Sequence, residues 1–182
     1  MLLPSVCIIF AAKEANSYEN RKSYLSKTSP AMKRVTMVND LLFGEVGRLL
    51  EEGKRVTLLT KGNSMRPFIE GEKDSVELQK SEHVRRGDIL LAKVKSGRHV
   101  MHRVIRICGD DITLMGDGNL HGQEYCQTRD VLGTVMLIRH ASGRTTDCQS
   151  AMHQTAALLW RWLLPFRRYL LAIHNRLFVR RK

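Results

Sequence analysis

The chain has 182 residues, 43% of them hydrophobic, and a formal net charge of +12. That length suits one domain with appendages and is enough to bury a core without cross-links. The charge excludes a simple nucleic-acid reading, because it sits at the two ends: residues 1–36 carry +4, residues 37–150 only +1, and residues 151–182 carry seven basic side chains and no acidic one. A nucleic-acid domain is expected to place its basic footprint on a folded face, so no specific nucleic acid is expected as a partner.

Residues 1–36 open with an apolar run of eleven residues, Leu2 to Ala12, too short to span a membrane and lacking a basic leader. The Ser- and Lys-rich stretch that follows has no pattern, and the segment reads as disordered or as an upstream extension. Over residues 37–53, Val38, Leu41, Leu42, Val46, Leu49 and Leu50 recur at helical spacing. Asn39 is placed to cap this helix and Gly53 to end it, while Gly44 and Gly47 weaken it, so it needs a surface to lie on.

From residue 54 to about 144 the period changes. Arg55–Thr60, Asp74–Gln79, Ile89–Val94, His99–Ile107, Ile112–Met115 and Val131–Arg139 are short runs rich in Val, Ile, Leu and Thr, separated by turn residues. Six such runs predict a mainly β, antiparallel domain, with a hairpin across Ser96-Gly97. The tail, residues 145–182, becomes helical again. Leu159, Leu163, Phe166, Leu170, Ile173 and Leu177 form one apolar stripe, and Pro165 is expected to kink or divide the helix. Two readings of this basic amphipathic tail stand open: a helix packed on the β domain, or one lying on an anionic membrane surface.

Cys7, Cys108, Cys126 and Cys148 are widely and irregularly spaced, which supports neither a zinc site nor a disulfide framework. His99 and His102, three apart on a strand, point to opposite faces and cannot share an ion. No metal or other cofactor is expected.

The candidate chemistry lies in three segments. Ser64 sits in Gly62-Asn63-Ser64-Met65-Arg66-Pro67, a turn after a predicted strand; a serine hydroxyl is a weak nucleophile and needs a base close in space. His102 lies on a predicted strand, sharing a face with Val100 and Val104, which would hold a base rigidly. Asp117, in Gly116-Asp117-Gly118-Asn119, is a carboxylate able to orient an imidazole and stabilise its charged form. Each has an ordinary structural reading as well, as turn residue, boundary histidine and turn aspartate.

Together these segments resemble the signal peptidase I superfamily, which includes the LexA-type self-cleaving repressors. Gly62–Pro67 is similar to the nucleophile box G-x-S-M-x-P. Gly71 fits the next glycine, with Glu72 where the family has Asp. Gly87-Asp88-Ile89, Val100–Ile105 and Gly116–Asn119 are similar to the later boxes, all in family order over residues 60–140. His102 followed by Arg103 resembles the archaeal and endoplasmic-reticulum branch, whose base is histidine rather than lysine. The resemblance implies a signal-peptidase/LexA-like catalytic β domain, flanked here by the short N-terminal helix and the amphipathic C-terminal one. It implies a serine endopeptidase that binds an extended peptide or pre-protein by strand addition and cleaves after small side chains. Two departures stand out. The stretch Leu120-His121-Gly122-Gln123-Glu124 lacks the family's second acidic pair, so Asp117 is the first choice to orient His102 and Glu124 the alternative. There is also no predicted membrane anchor, which points to a cytoplasmic site of action, with or without peripheral membrane contact. Two other functions fit the same fold: a peptide-binding module without catalysis, and a self-processing regulator, for which the helical segment before Arg55 is too short to supply a DNA-binding domain.

Overall fold

In the computed structural model, residues 8–10, 33–35, 39–80, 83–174 and 176 are described. The expectation of disorder over residues 1–36 lies outside them, apart from two three-residue strands, β1 (Ile8–Phe10) and β2 (Lys33–Val35), which pair antiparallel.

The first helix, α1 (Asn39–Glu51), buries Leu42, Val46, Leu49 and Leu50 as its spacing predicts. The stripe is rotated slightly from expectation. Leu41 is exposed and Phe43 is buried in its stead, its ring stacked on His99 with centroids 4.3 Å apart. Gly53 ends the helix in the left-handed region, and the Lys54 amide reaches back to the Leu49 carbonyl.

The six predicted strands are present as β3 (Val56–Leu59), β4 (Ser75–Gln79), β5 (Ile89–Lys93), β6 (His99–Cys108), β7 (Asp111–Met115) and β9 (Val131–Arg139). Besides β1 and β2, two more were not predicted: β8 (Glu124–Gln127) and β10 (Thr145–Asp147). The fold is mainly β. One antiparallel sheet runs in the order β3-β4-β9-β5-β6-β7-β8. Strand β9 organises it, pairing with β4 along one edge and with β5 and then β10 along the other.

Apolar residues fill both faces of the central strands. Ile89 and Leu91 join a core with Leu42, Leu50, Val76 and Ile138, beneath α1. Leu90 and Ala92 join a second core with Val104, Ile112, Leu114 and Cys126. This alternation explains why β5 is buried throughout its first four residues. The cysteines Cys108, Cys126 and Cys148 are free. Burial pushes the thiol of Cys126 up to about 11 and that of Cys148 to about 12, so both stay protonated and inert.

The long connection between β3 and β4 closes on itself. The Thr60 amide and hydroxyl both donate to the Asp74 carbonyl, at 3.0 and 2.8 Å, and Asp74 Oδ2 accepts the Glu70 amide at 2.9 Å. Met65 and Ile69 drop from this loop into the first core. Ends tied together and side chains packed inward make it a compact Ω-type loop. Its two halves meet at Gly62 and Gly71, where a Cβ on Gly71 would overlap the Gly62 main chain. Gly71→Ala is therefore expected to destabilise the fold by more than about 2 kcal/mol. Gly44→Ala, in an open part of a helix, should instead stabilise it by about 0.5–1 kcal/mol. Urea denaturation of both variants checks the contrast.

Candidate active site

Strand β6 sends adjacent side chains to opposite faces, and the site is built from that division. His102 and Arg103 are both buried, yet they keep different company.

Arg103 is held at every arm. Its Nε donates to both oxygens of Asp117, at 2.9 and 3.0 Å, and its Nη2 donates to Asp117 Oδ2 at 2.7 Å. Its Nη1 donates to the Gly87 carbonyl at 2.7 Å, and its guanidinium lies 5.1 Å from the centre of the Phe68 ring. The forked geometry is the one in which an arginine–carboxylate pair is strongest. Strand register makes the pairing local: Arg103 lies opposite Met115, and Asp117 follows two residues later.

His102 pairs across the sheet with Leu90. Its Nδ1 faces Glu124 Oε2 at 3.3 Å, close enough for an ion pair but misaligned for a hydrogen bond. Glu124 begins β8, and its other oxygen accepts from Arg98 at 2.8 Å. Burial pushes the His102 pKa below its ordinary range, and the charges of Glu124 and then Asp117 offset part of that shift. The imidazole is therefore neutral at pH 7 and able to accept a proton.

The Ser64 turn is seated on the loop after β7. The Gly118 amide donates to the Ser64 carbonyl at 2.7 Å. A Cβ on Gly116 would come within 2.5 Å of that same oxygen, and one on Gly118 within 2.6 Å of the Asn63 carbonyl. The approach needs glycine at both positions. Since β9, β5 and β6 lie between β4 and β7 in the sheet, this contact requires the sheet to curl. Within the turn, the Arg66–Pro67 bond is cis and the amides of Arg66, Phe68 and Ile69 are bonded back to Asn63 or Met65.

The structure seats the Ser64 turn on the Asp117 loop and binds that loop to Arg103, next to His102 on β6, but redistributes the carboxylates. The first choice to orient His102, Asp117, is given to Arg103, which meets it with three short bonds. Glu124 is the carboxylate at the imidazole. Among the described residues no hydrogen bond joins Ser64 to His102, whose Nδ1 has no hydrogen-bond partner; in substrate-free sites such bonds are commonly long and tighten on binding.

Sequence reasoning missed three supports of the site. Trp160 Nε1 donates to the Asp117 carbonyl at 2.7 Å, Arg167 Nη1 to the Asn119 carbonyl at 2.9 Å, and Phe68 packs edge-on against His153 and Trp160. The buried His153 is also pushed down in pKa, first by burial and then by the charge of Arg103. No signal in the sequence joins these distant positions. A cleft of about 620 Å³ lies elsewhere and is lined by Lys80, Val84, Gln127 and Arg129 among others. No cluster of metal-ligating side chains occurs among the described residues.

No protein-family model matches the chain, and no curated protein matches it. The functional reading accordingly rests on the geometry and on the motif resemblance.

Breaking a buried ion pair leaves the surviving charge uncompensated. Asp117→Asn, which strands the Arg103 guanidinium, should destabilise the protein by about 3–5 kcal/mol in urea denaturation. A loss below about 1 kcal/mol would show that the bridge is not structural.

Proposed function

We propose that this chain is a serine endopeptidase of signal-peptidase type, acting on a peptide or pre-protein. The observation that carries the reading is the pairing of His102 Nδ1 with Glu124 Oε2 at 3.3 Å on a buried strand. The serine turn is fastened by its own carbonyl to the Asp117 loop, whose aspartate is bonded to Arg103, the neighbour of His102 on β6. With Nδ1 turned to Glu124, the imidazole has Nε2 to offer the nucleophile.

In this mechanism Ser64 Oγ attacks the scissile carbonyl carbon as His102 Nε2 takes its proton. Glu124 stabilises the imidazolium so formed, the role an aspartate plays in the familiar triads. The amides of Arg66, Phe68 and Ile69 are already used within the turn. Those of Ser64 and Met65 are left to meet the developing oxyanion. His102 then returns the proton to the leaving amine, an acyl-enzyme remains on Ser64, and water activated by His102 releases it. Asp117 and Arg103 do not touch the reacting atoms; they hold the serine turn against strand β6.

The test is cleavage of peptides with small side chains near the scissile bond, followed by mass spectrometry. Ser64→Ala and His102→Ala should each lower turnover by at least about a hundredfold. Cleavage that persists in Ser64→Ala above a mock preparation overturns the proposal. The absence of a Ser64–His102 hydrogen bond favours one other reading, a peptide-binding module. Peptide binding without cleavage, unchanged by Ser64→Ala, would establish that instead.

The pH profile has a definite sign. The base acts only when neutral, and its pKa lies below the usual value of about 6.5. Activity should therefore be on a plateau at pH 7 and fall only as pH drops through that lower value. Glu124→Gln removes a charge that favours the protonated ring. It should move the acid limb to still lower pH while lowering the plateau rate at least about tenfold. A limb that stays in place would remove Glu124 from its role.

A further inference from the structure

The C-terminal tail is divided as Pro165 predicts: α2 (Ala151–Trp162), a short 3₁₀ turn over Leu164–Phe166, and α3 (Arg167–His174). It docks on the sheet and the Asp117–Asn119 loop through a polar face. His153, Ala157 and Arg167 are buried, Trp160 and Arg167 bond to carbonyls of the Asp117–Asn119 loop, and Arg161 Nη1 donates to the Ile105 carbonyl at 3.0 Å. The polar and aromatic donors therefore face inward.

The large apolar residues face outward. Leu159 is 62% exposed, Trp162 87%, Phe166 63%, Tyr169 66% and Ile173 55%. These exposed side chains come from both helices and the turn between them and form the apolar ridge of the tail. Residues 151–182 carry seven basic side chains and no acidic one, and Arg168 and Arg176 are exposed beside the ridge. Among the described residues no helix is long and apolar enough to cross a membrane.

We propose that this ridge docks on the surface of an anionic phospholipid bilayer, with α2 and α3 lying in the interface. Apolar ridge, aromatic side chains and single-sign charge are the combination that binds such a surface. A second copy of the chain is the poorer occupant, because pairing the ridge with itself sets arginine against arginine. Since α2 and α3 are bonded to the loop that seats Ser64, docking fixes the candidate site at a constant height above the lipid. A peptide held near the membrane is then within reach. The docking proposal stands apart from the peptidase reading and is tested without any substrate.

The experiment is flotation of the full chain with vesicles of phosphatidylcholine alone or mixed with phosphatidylglycerol. The protein should float with the anionic vesicles and not the neutral ones, with binding weakened at high salt. The variant carrying Trp162→Glu and Phe166→Glu should bind at least tenfold more weakly, with an unchanged thermal melt. Arg168→Glu with Arg176→Glu should weaken binding as well, without touching the ridge. Failure to float with anionic vesicles, or flotation indifferent to both variants, overturns the proposal. So does a dimer in light scattering that the ridge variant dissolves, which would assign the ridge to a second copy.

Discussion

The buried bridge between Arg103 and Asp117 is the constraint on which the rest of the site depends. A guanidinium placed in a core has to be met on all its arms, and meeting them draws four parts of the chain together. Asp117 brings the loop after β7, and Gly87 brings the turn before β5. Phe68 brings the far side of the Ω-type loop, and Trp160, through the Asp117 carbonyl, brings the C-terminal helix. The Ser64 turn then rests on glycines 116 and 118, whose place is set by the aspartate between them. The glycines and the aspartate of the motif segments are thus parts of one physical assembly.

The same bridge divides the labour of two neighbours on β6. Because Arg103 claims Asp117, the charge of that carboxylate is largely neutralised where it stands, and it reaches His102 only as a secondary influence. Burial then dominates His102 and keeps its ring neutral, while Glu124 supplies a carboxylate on the side that a protonated ring would need. A positively charged structural residue and a neutral base can sit one position apart because a strand turns them to opposite faces.

Much of the fold was legible in the sequence. Apolar alternation located six strands, and helical spacing located α1, since both report directly on burial. Strand β8 escaped because only Cys126 of its four residues is buried, which leaves too weak a pattern. Ser64 and His102 were legible as candidates through their motif segments, but the partner of His102 was not. Choosing between Asp117 and Glu124 depends on strand register, which sets Asp117 beside Arg103 and brings Glu124 to the imidazole. The tail left two readings open for a different reason. An apolar stripe alone does not say whether it packs on the protein or faces outward; here Trp160, Arg161 and Arg167 donate to carbonyls of β6 and the Asp117–Asn119 loop. Those polar contacts orient the helices and leave Leu159, Trp162, Phe166, Tyr169 and Ile173 outside.

Covalent trapping tests directly the proposed activation of Ser64 by His102. The intact protein is incubated with a fluorophosphonate, and its mass and peptide map are followed over time. If His102 activates Ser64, a single adduct forms on Ser64, at least about a hundredfold more slowly in His102→Ala. An untouched Ser64, or an adduct that forms as fast without the imidazole, would contradict it.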